Sequence, residues 1–285
     1  MAKMIVVEER NSPLLLVLPH SGQRIPRELE RRMTATGRLQ TDLSWHMDQV
    51  ADFAAELDIT VLRTSTSRLV IDVDRDPVRE ADGQPSDPAV ALCPLTTLDG
   101  KRVYQADEDP GPVEIDERRR LFHEPFHTAL GLQIERLKRM NNRVVLFNVQ
   151  SMRSRIKARF AGELPMVNLG TCQGRSCHED VSSIVASLER DFPGGGISEN
   201  DITTGGFIAQ MVGQPRDGVH AITLVLAQRA YIRHETPPFE MDKERLRQTR
   251  AALRRVSSDL IDWAKGAQKA PPRTLLEPLP DFLSV

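Results

Sequence analysis

Five short runs in the chain are apolar almost without interruption: residues 14–19 (LLLVLP), 60–64 (TVLRT), 69–73 (LVIDV), 144–149 (VVLFNV) and 220–227 (HAITLVLA). Runs of that length without polar alternation predict strands covered on both faces. Four longer stretches instead place apolar residues three or four apart, at 44–58, 115–141, 179–192 and 242–267. That spacing predicts helices with one buried stripe. Strands alternating with helices point to one α/β domain over residues 1–270, built on a largely parallel or mixed sheet. The segments 76–112 and 192–207 are rich in Pro, Asp and Gly, and long loops beyond strand ends are where such sheets bind ligands. From Pro271 the chain reads as an extended tail, 271–285.

Composition narrows the classes. With 285 residues, 40% hydrophobic and 27% charged, the chain can bury a substantial core. A net charge of −2 gives no general field for nucleic acid, and the arginine runs DERRRL and RLRQTRAALRR read as solvated helix faces. No stretch has the eighteen or so apolar residues a membrane span needs, and no signal-like start is present, so a cytoplasmic protein is expected. Cys93, Cys172 and Cys177 are an odd count and are expected as reduced thiols. CQGRSCH offers Cys172, Cys177 and His178 as soft ligands without a second ligand pair. Residues 123–127 spell H-E-x-x-H, which on a continuous helix grips zinc. Here Pro125 would meet the carbonyl of Leu121, so the helix should kink or begin there, leaving the His123–His127 spacing unsecured.

The residues at strand ends carry more. The run 14–19 ends at Pro19 and presents His20 where α/β folds place their sites; it reads as a metal ligand or as a loop histidine bonded to backbone. SRLVIDVDR places Arg68, Asp72 and Asp74 at one strand parity and Arg75 at the other, either for substrate contact or as a pair holding the sheet edge. Arg153 follows the 144–149 run with a planar fork suited to a carboxylate, while Arg155 and Arg159 could equally be solvated. Paired Gly205 and Gly206 permit close backbone approach to a ligand or simply a corner.

Read in order, LPHSGQRIP (18–26), WHMD (45–48), SRLVIDVDRDP (67–77), LCPLTTLDG (92–100), SMRSRI and FAGELPMVNLGT (within 151–171), GGF and GVHAITLVLAQ (218–228) resemble the N-formylglutamate amidohydrolases. The resemblance implies a zinc-carboxypeptidase-like (phosphorylase/hydrolase-like) α/β fold, a mixed sheet flanked by helices on both faces. It implies metal-assisted hydrolysis of the formamide of N-formyl-L-glutamate, a step of histidine degradation, and hence a divalent zinc and a small acyl amino acid or other anionic metabolite as ligand. It assigns catalytic positions to His20, Asp48 and Arg68, with His20 and Asp48 as metal ligands, and substrate contacts to Ser151, Arg153, Gly205, Gly206 and His220.

The chain also departs from the pattern. Where the family carries D-x-H-S this chain reads Asn148-Val149-Gln150-Ser151, so Gln150 stands for the metal histidine and Asn148 for the aspartate. An amide is a poor zinc ligand. Ser44 replaces an acidic residue before Trp45-His46, leaving Asp42 and Asp48 as nearby carboxylates, and Val225 stands for the general-base glutamate. Ile202, Thr204 and Gln210 replace basic residues. A metal re-sited on His20, His46 and Asp48 is disfavoured, because two residues two apart on a helix diverge by about 200°. The sequence therefore reads as a divergent member that has lost the standard metal and base, or as an inactive binding or regulatory relative for a small anion or a protein. His20 and Gln150 should still face one cleft from adjacent strand ends.

Overall fold

A computed structural model describes residues 4–78 and 87–266. Its strands are β1 (Ile5–Glu8), β2 (Leu14–Leu18), β3 (Thr60–Thr64), β4 (Val144–Met152), β5 (Val167–Gly170), β6 (Ile197–Glu199) and β7 (Val219–Ala227). They form one mixed sheet in the order β1-β3-β2-β4-β7-β5-β6. The central strands β3, β2, β4 and β7 run parallel, β1 is antiparallel to β3, and β5 is antiparallel to β7. The helices are α1 (Arg27–Arg32), α2 (Ala35–Arg38), α3 (Met47–Val50), α4 (Pro112–Arg118), α5 (Glu124–Lys138), α6 (Glu179–Ala186), α7 (Gly206–Val212) and α8 (Lys243–Ala264).

Strand alternation divides the core into two layers. Leu14, Leu16 and Leu18 of β2, with Val145, Phe147 and Val149 of β4 and Ile222, Leu224 and Leu226 of β7, pack against Met47 and Val50 of α3, Val181 and Ile184 of α6, and Leu253 and Val256 of α8. The opposite parity, Leu15, Val17, Val144, Leu146 and Ala221, packs against Phe126, Leu130, Ile134 and Leu137 of α5 and Ile208 and Ala209 of α7. Strands sandwiched this way need no polar face, which explains why β2, β4 and β7 are almost wholly apolar. On the α5/α7 side, parity continues along β4 to Asn148 and Gln150 and along β7 to Thr223 and Val225. There the apolar layer gives way to polar groups, at the carboxyl ends of the strands.

Four of the five predicted strands are found, and residues 69–73 are not among them: that segment is a buried turn and loop. Its run of apolar residues reflects burial of Leu69, Val70, Ile71 and Val73, which sequence periodicity cannot distinguish from a strand. β1, β5 and β6 are short pieces that went unpredicted. Of the helix predicted over 44–58, only the single turn of α3 and a 3-10 turn (Asp52–Ala55) form. Between α4 and α5 the chain widens into a π turn at Arg119–His123. Pro125 lies in the first turn of α5, so the wider turn relieves the clash and the missing N–H that the proline imposes. The arginine runs are largely at the surface, with one exception: Arg118 is buried, donating to the carbonyl of Val70 and to the Tyr104 hydroxyl. The predicted tail, 271–285, lies outside the described residues, as do positions 79–86 of the long loop.

Candidate active site

The loop after β3 delivers two carboxyls side by side. Asp72 folds back so that its Oδ1 accepts the backbone N–H of Asp74 at 3.0 Å, a local turn that aspartate favours. The same oxygen meets His20 Nε2 at 2.6 Å, while Oδ2 accepts from Arg68 Nε and Nη2 at 3.2 and 2.9 Å. Asp72 has no exposed surface. Burial pushes against its ionisation, but His20 and Arg68 outweigh it and hold the carboxyl well below its ordinary range. Arg68 and Asp72 therefore form a buried ion pair that orients His20, the bond a strand reading had only paired by parity.

Asp74 sits at the centre of a second set. Its Oδ1 accepts the N–H of Ile208 in the first turn of α7 at 2.8 Å, and its Oδ2 accepts from Gln150 Nε2 at 2.6 Å and Asn148 Nδ2 at 3.1 Å. Asn148 Nδ2 also donates to Thr223 Oγ1, and the Thr223 hydroxyl donates to the carbonyl of Gly205. Burial pushes the Asp74 carboxyl above its ordinary range, against the pull of His20, the Ile208 N–H and Gln150. Gly206 has φ +71°, and a Cβ there would lie 2.4 Å from an Asp74 carboxylate oxygen, so glycine is required for this approach.

The H-E-x-x-H histidines support this centre from below. With α5 beginning at Glu124 and Pro125 in its first turn, as one of the two expectations had it, they stack one turn apart with ring centroids at 4.3 Å. Each spends its Nε2 on a carbonyl of the Asp-bearing loop: His123 on Arg75 at 2.9 Å and His127 on Val73 at 2.8 Å. Burial pushes both pKa values down, His127 to about 4, so both rings are neutral N–H donors at ordinary pH. Glu124 instead pairs with Arg119 at the surface.

His20 and Gln150 converge on the linked pair Asp72 and Asp74. In the parallel β2/β4 register Val17 lies opposite Asn148, and the chains beyond converge on Asp72 and Asp74. Ser44 joins the same strand ends: its N–H donates to the His20 carbonyl at 3.0 Å and its Oγ accepts the Ser151 N–H at 2.9 Å. Ser151 is buried, its hydroxyl bonded to Tyr231 at 2.6 Å. Val225 lies directly across from Gln150 on the same sheet face and is 5% exposed. Gly205, with φ +130°, lies against Cys172.

Other assigned residues are not brought there. Asp48 is exposed on α3, lining a shallow depression with Leu18, Val61 and Arg63, and shares no hydrogen bond with His20. His46 gives its Nε2 to the carbonyl of Phe239 at 2.9 Å, and Trp45 stacks on Phe239. Arg153 already spends its Nη2 on Asp42 at 2.9 Å and Asp99 at 2.6 Å. His220 opens β7 at the other end of the sheet, roughly 17 Å along the strand from Val225 at about 3.4 Å per residue. Cys172 and Cys177 are free, buried thiols whose pKa values burial pushes up, Cys177 to about 12. Among the described residues no group of three His, Cys, Asp or Glu side chains is placed to hold a metal ion. The sequence had grouped Asp74 with Arg68 and Asp72 by parity and put Asn148 at the aspartate position of the family motif, but neither was assigned a catalytic, binding or metal role.

Comparison with known proteins agrees with the architecture. The sequence profile of the family described as N-formylglutamate amidohydrolase matches residues 12–232. An N-formylglutamate deformylase of Pseudomonas aeruginosa is 32% identical over 258 residues, 89% of this chain and 94% of that protein. One from Pseudomonas putida is 29% identical over 271 residues, 94% of this chain and 99% of that protein. The crystal structure of N-formylglutamate amidohydrolase from Ralstonia eutropha JMP134 superposes with a TM-score of 0.77 at 19% identity, covering 93% of this chain and 99% of that one. With the profile spanning residues 12–232, most of the chain, this protein belongs to the N-formylglutamate amidohydrolase family.

Proposed function

We propose that this chain is a divergent N-formylglutamate amidohydrolase whose cleft binds an acyl amino acid or similar small anion without zinc-assisted hydrolysis. The observation that carries this reading is the Gln150–Asp74 hydrogen bond at 2.6 Å. Gln150 turns its Nε2 to Asp74, with Asn148 Oδ1 also in reach at 3.4 Å, where a metal-binding histidine would offer a lone pair. Asp74 spends both oxygens on Gln150, Asn148 and the Ile208 N–H. His20 is directed at Asp72, which Arg68 already neutralises. A zinc site wants about three convergent His, Cys or carboxylate donors, and these residues do not supply them. Val225, opposite Gln150, has no group that can take a proton.

Arg75 is the group we assign to an incoming carboxylate. Its side chain is 38% exposed and keeps only a 3.7 Å approach to Asp72, whereas Arg153 is matched by two carboxylates. Thermal unfolding with N-formyl-L-glutamate in the presence of a chelator tests the assignment. At about one hundred times the dissociation constant the ligand should stabilise the protein by roughly 2.7 kcal/mol. Arg75→Ala should abolish that gain while keeping the unliganded melting temperature. Stabilisation that disappears with the chelator, or survives unchanged in Arg75→Ala, would contradict the reading.

A further inference from the structure

At the end of the sheet opposite His20 and Gln150, the beginnings of β4 and β7, the first turn of α6 and the last turn of α8 enclose an open groove of about 520 Å³. Arg143, Arg216, His178, His220 and Trp263 line it, together with Asp180 and Asp217. The groove shares no residue with the candidate active site.

Its donors are unusually uncommitted for this protein. Most arginines near a carboxylate are ion-paired, yet among the described residues neither Arg143 nor Arg216 has an ion pair. Arg143 lies over the Trp263 ring, 4.9 Å from its centroid, and its Nη1 donates to the Trp263 carbonyl at 3.4 Å, so the guanidinium is held in place without a carboxylate partner among the described residues. Asp180 is already engaged: its Oδ2 accepts from Trp263 Nε1 at 3.0 Å and lies 3.3 Å from His178 Nδ1. Asp217 is exposed at the turn that follows Pro215.

His220 supplies the independent observation. It is only 4% exposed, and its Nδ1 accepts the backbone N–H of His178 at 3.2 Å. The ring proton therefore sits on Nε2, which has no hydrogen-bond partner among the described residues, in a side chain that lines the groove edge-on to Trp263. That N–H is free to donate to an anion held in the groove. Burial, with smaller contributions from His178 and Arg143, pushes the His220 pKa down to about 4, so the ring is neutral at ordinary pH.

We propose that this groove is a second ligand site, which takes a small anion with a carboxylate or phosphate head between Arg143, Arg216 and His220. Trp263 reports on occupancy directly. Its emission should be followed while the full chain is titrated, at constant ionic strength, with malonate in one arm and inorganic phosphate in the other. A saturable change is expected in at least one arm; the responding arm identifies the head group, and a response in both identifies the shared anionic chemistry. The Arg143→Ala/Arg216→Ala double variant should bind at least about tenfold more weakly, the loss of one charge-assisted hydrogen bond. Arg216→Ala alone, which removes no ion pair or side-chain hydrogen bond among the described residues, should weaken binding without altering the melting temperature, and His20→Ala should leave the response intact. No saturable change with either probe, or a response undiminished in both arginine variants, would overturn the proposal.

Discussion

Asp72→Ala is expected to cost about 3–5 kcal/mol of stability, the range for breaking a buried ion pair from one side. Against a total of roughly 5–15 kcal/mol for a domain, that is a large share. The loss arises because Arg68, 5% exposed, would remain charged in the interior with only the carbonyl of Ala89 within reach at 3.4 Å. His20 and the N–H of Asp74 would lose their acceptor as well. Urea unfolding of the variant measures the cost, and Arg68→Met in the same chain should recover part of it, since the uncompensated charge is then gone. Equal destabilisation in the single and double variants would show that the ion pair is not the source. The pH dependence has a defined sign. The folded-state pKa of Asp72 is depressed, so its contribution is present above the ordinary carboxylate value of about 3.9 and is lost as pH falls through the lower folded value.

The triple substitution Ser44→Asp, Gln150→His, Val225→Glu is expected to gain both stoichiometric zinc and measurable turnover of N-formyl-L-glutamate. Ser44 and Gln150 flank the ends of β2 and β4, so Asp and His there add charge-bearing donors beside His20. Gln150→His also withdraws one donor from Asp74. Glutamate at 225 would stand opposite position 150 and restore a proton acceptor, a function commonly worth about 10²–10⁴ in rate. Each single substitution should change little, because groups that act as a unit are strongly non-additive. Zinc content and turnover, read beside the circular dichroism spectrum as a folding control, decide this; a folded triple variant without zinc would show that more of the site has changed than these three positions.

Much of the architecture was legible because sandwiched strands such as 14–18 and 144–149 have to be apolar on both faces, and because α5, α6 and α8 keep a clear helical stripe. The loop 69–73 misled for the same reason, since a buried turn obeys the same apolar rule as a strand. Within the site, His20 could be placed from its strand-end position, and Gln150 and Val225 from the resemblance to the family's motifs. The partners of Asp74 could not. Its contacts to Asn148, Gln150 and Ile208 join segments more than seventy residues away, and no local pattern encodes them. Arg153 looked free because Asp42 and Asp99 approach it only through tertiary folding. The alignment of the H-E-x-x-H histidines was left open by the sequence because Pro125 falls at a helix start, and only the fold shows that their protons go to backbone carbonyls of the Asp-bearing loop.

The most direct test of the central claim is turnover of N-formyl-L-glutamate by the wild-type chain, assayed as release of formate and glutamate with zinc supplied in excess. The Gln150–Asp74 pairing and the apolar Val225 lead to a rate indistinguishable from the protein-free blank. Brisk zinc-dependent turnover would contradict the account and would mean that metal binding and proton transfer are carried by residues other than those at positions 44, 150 and 225.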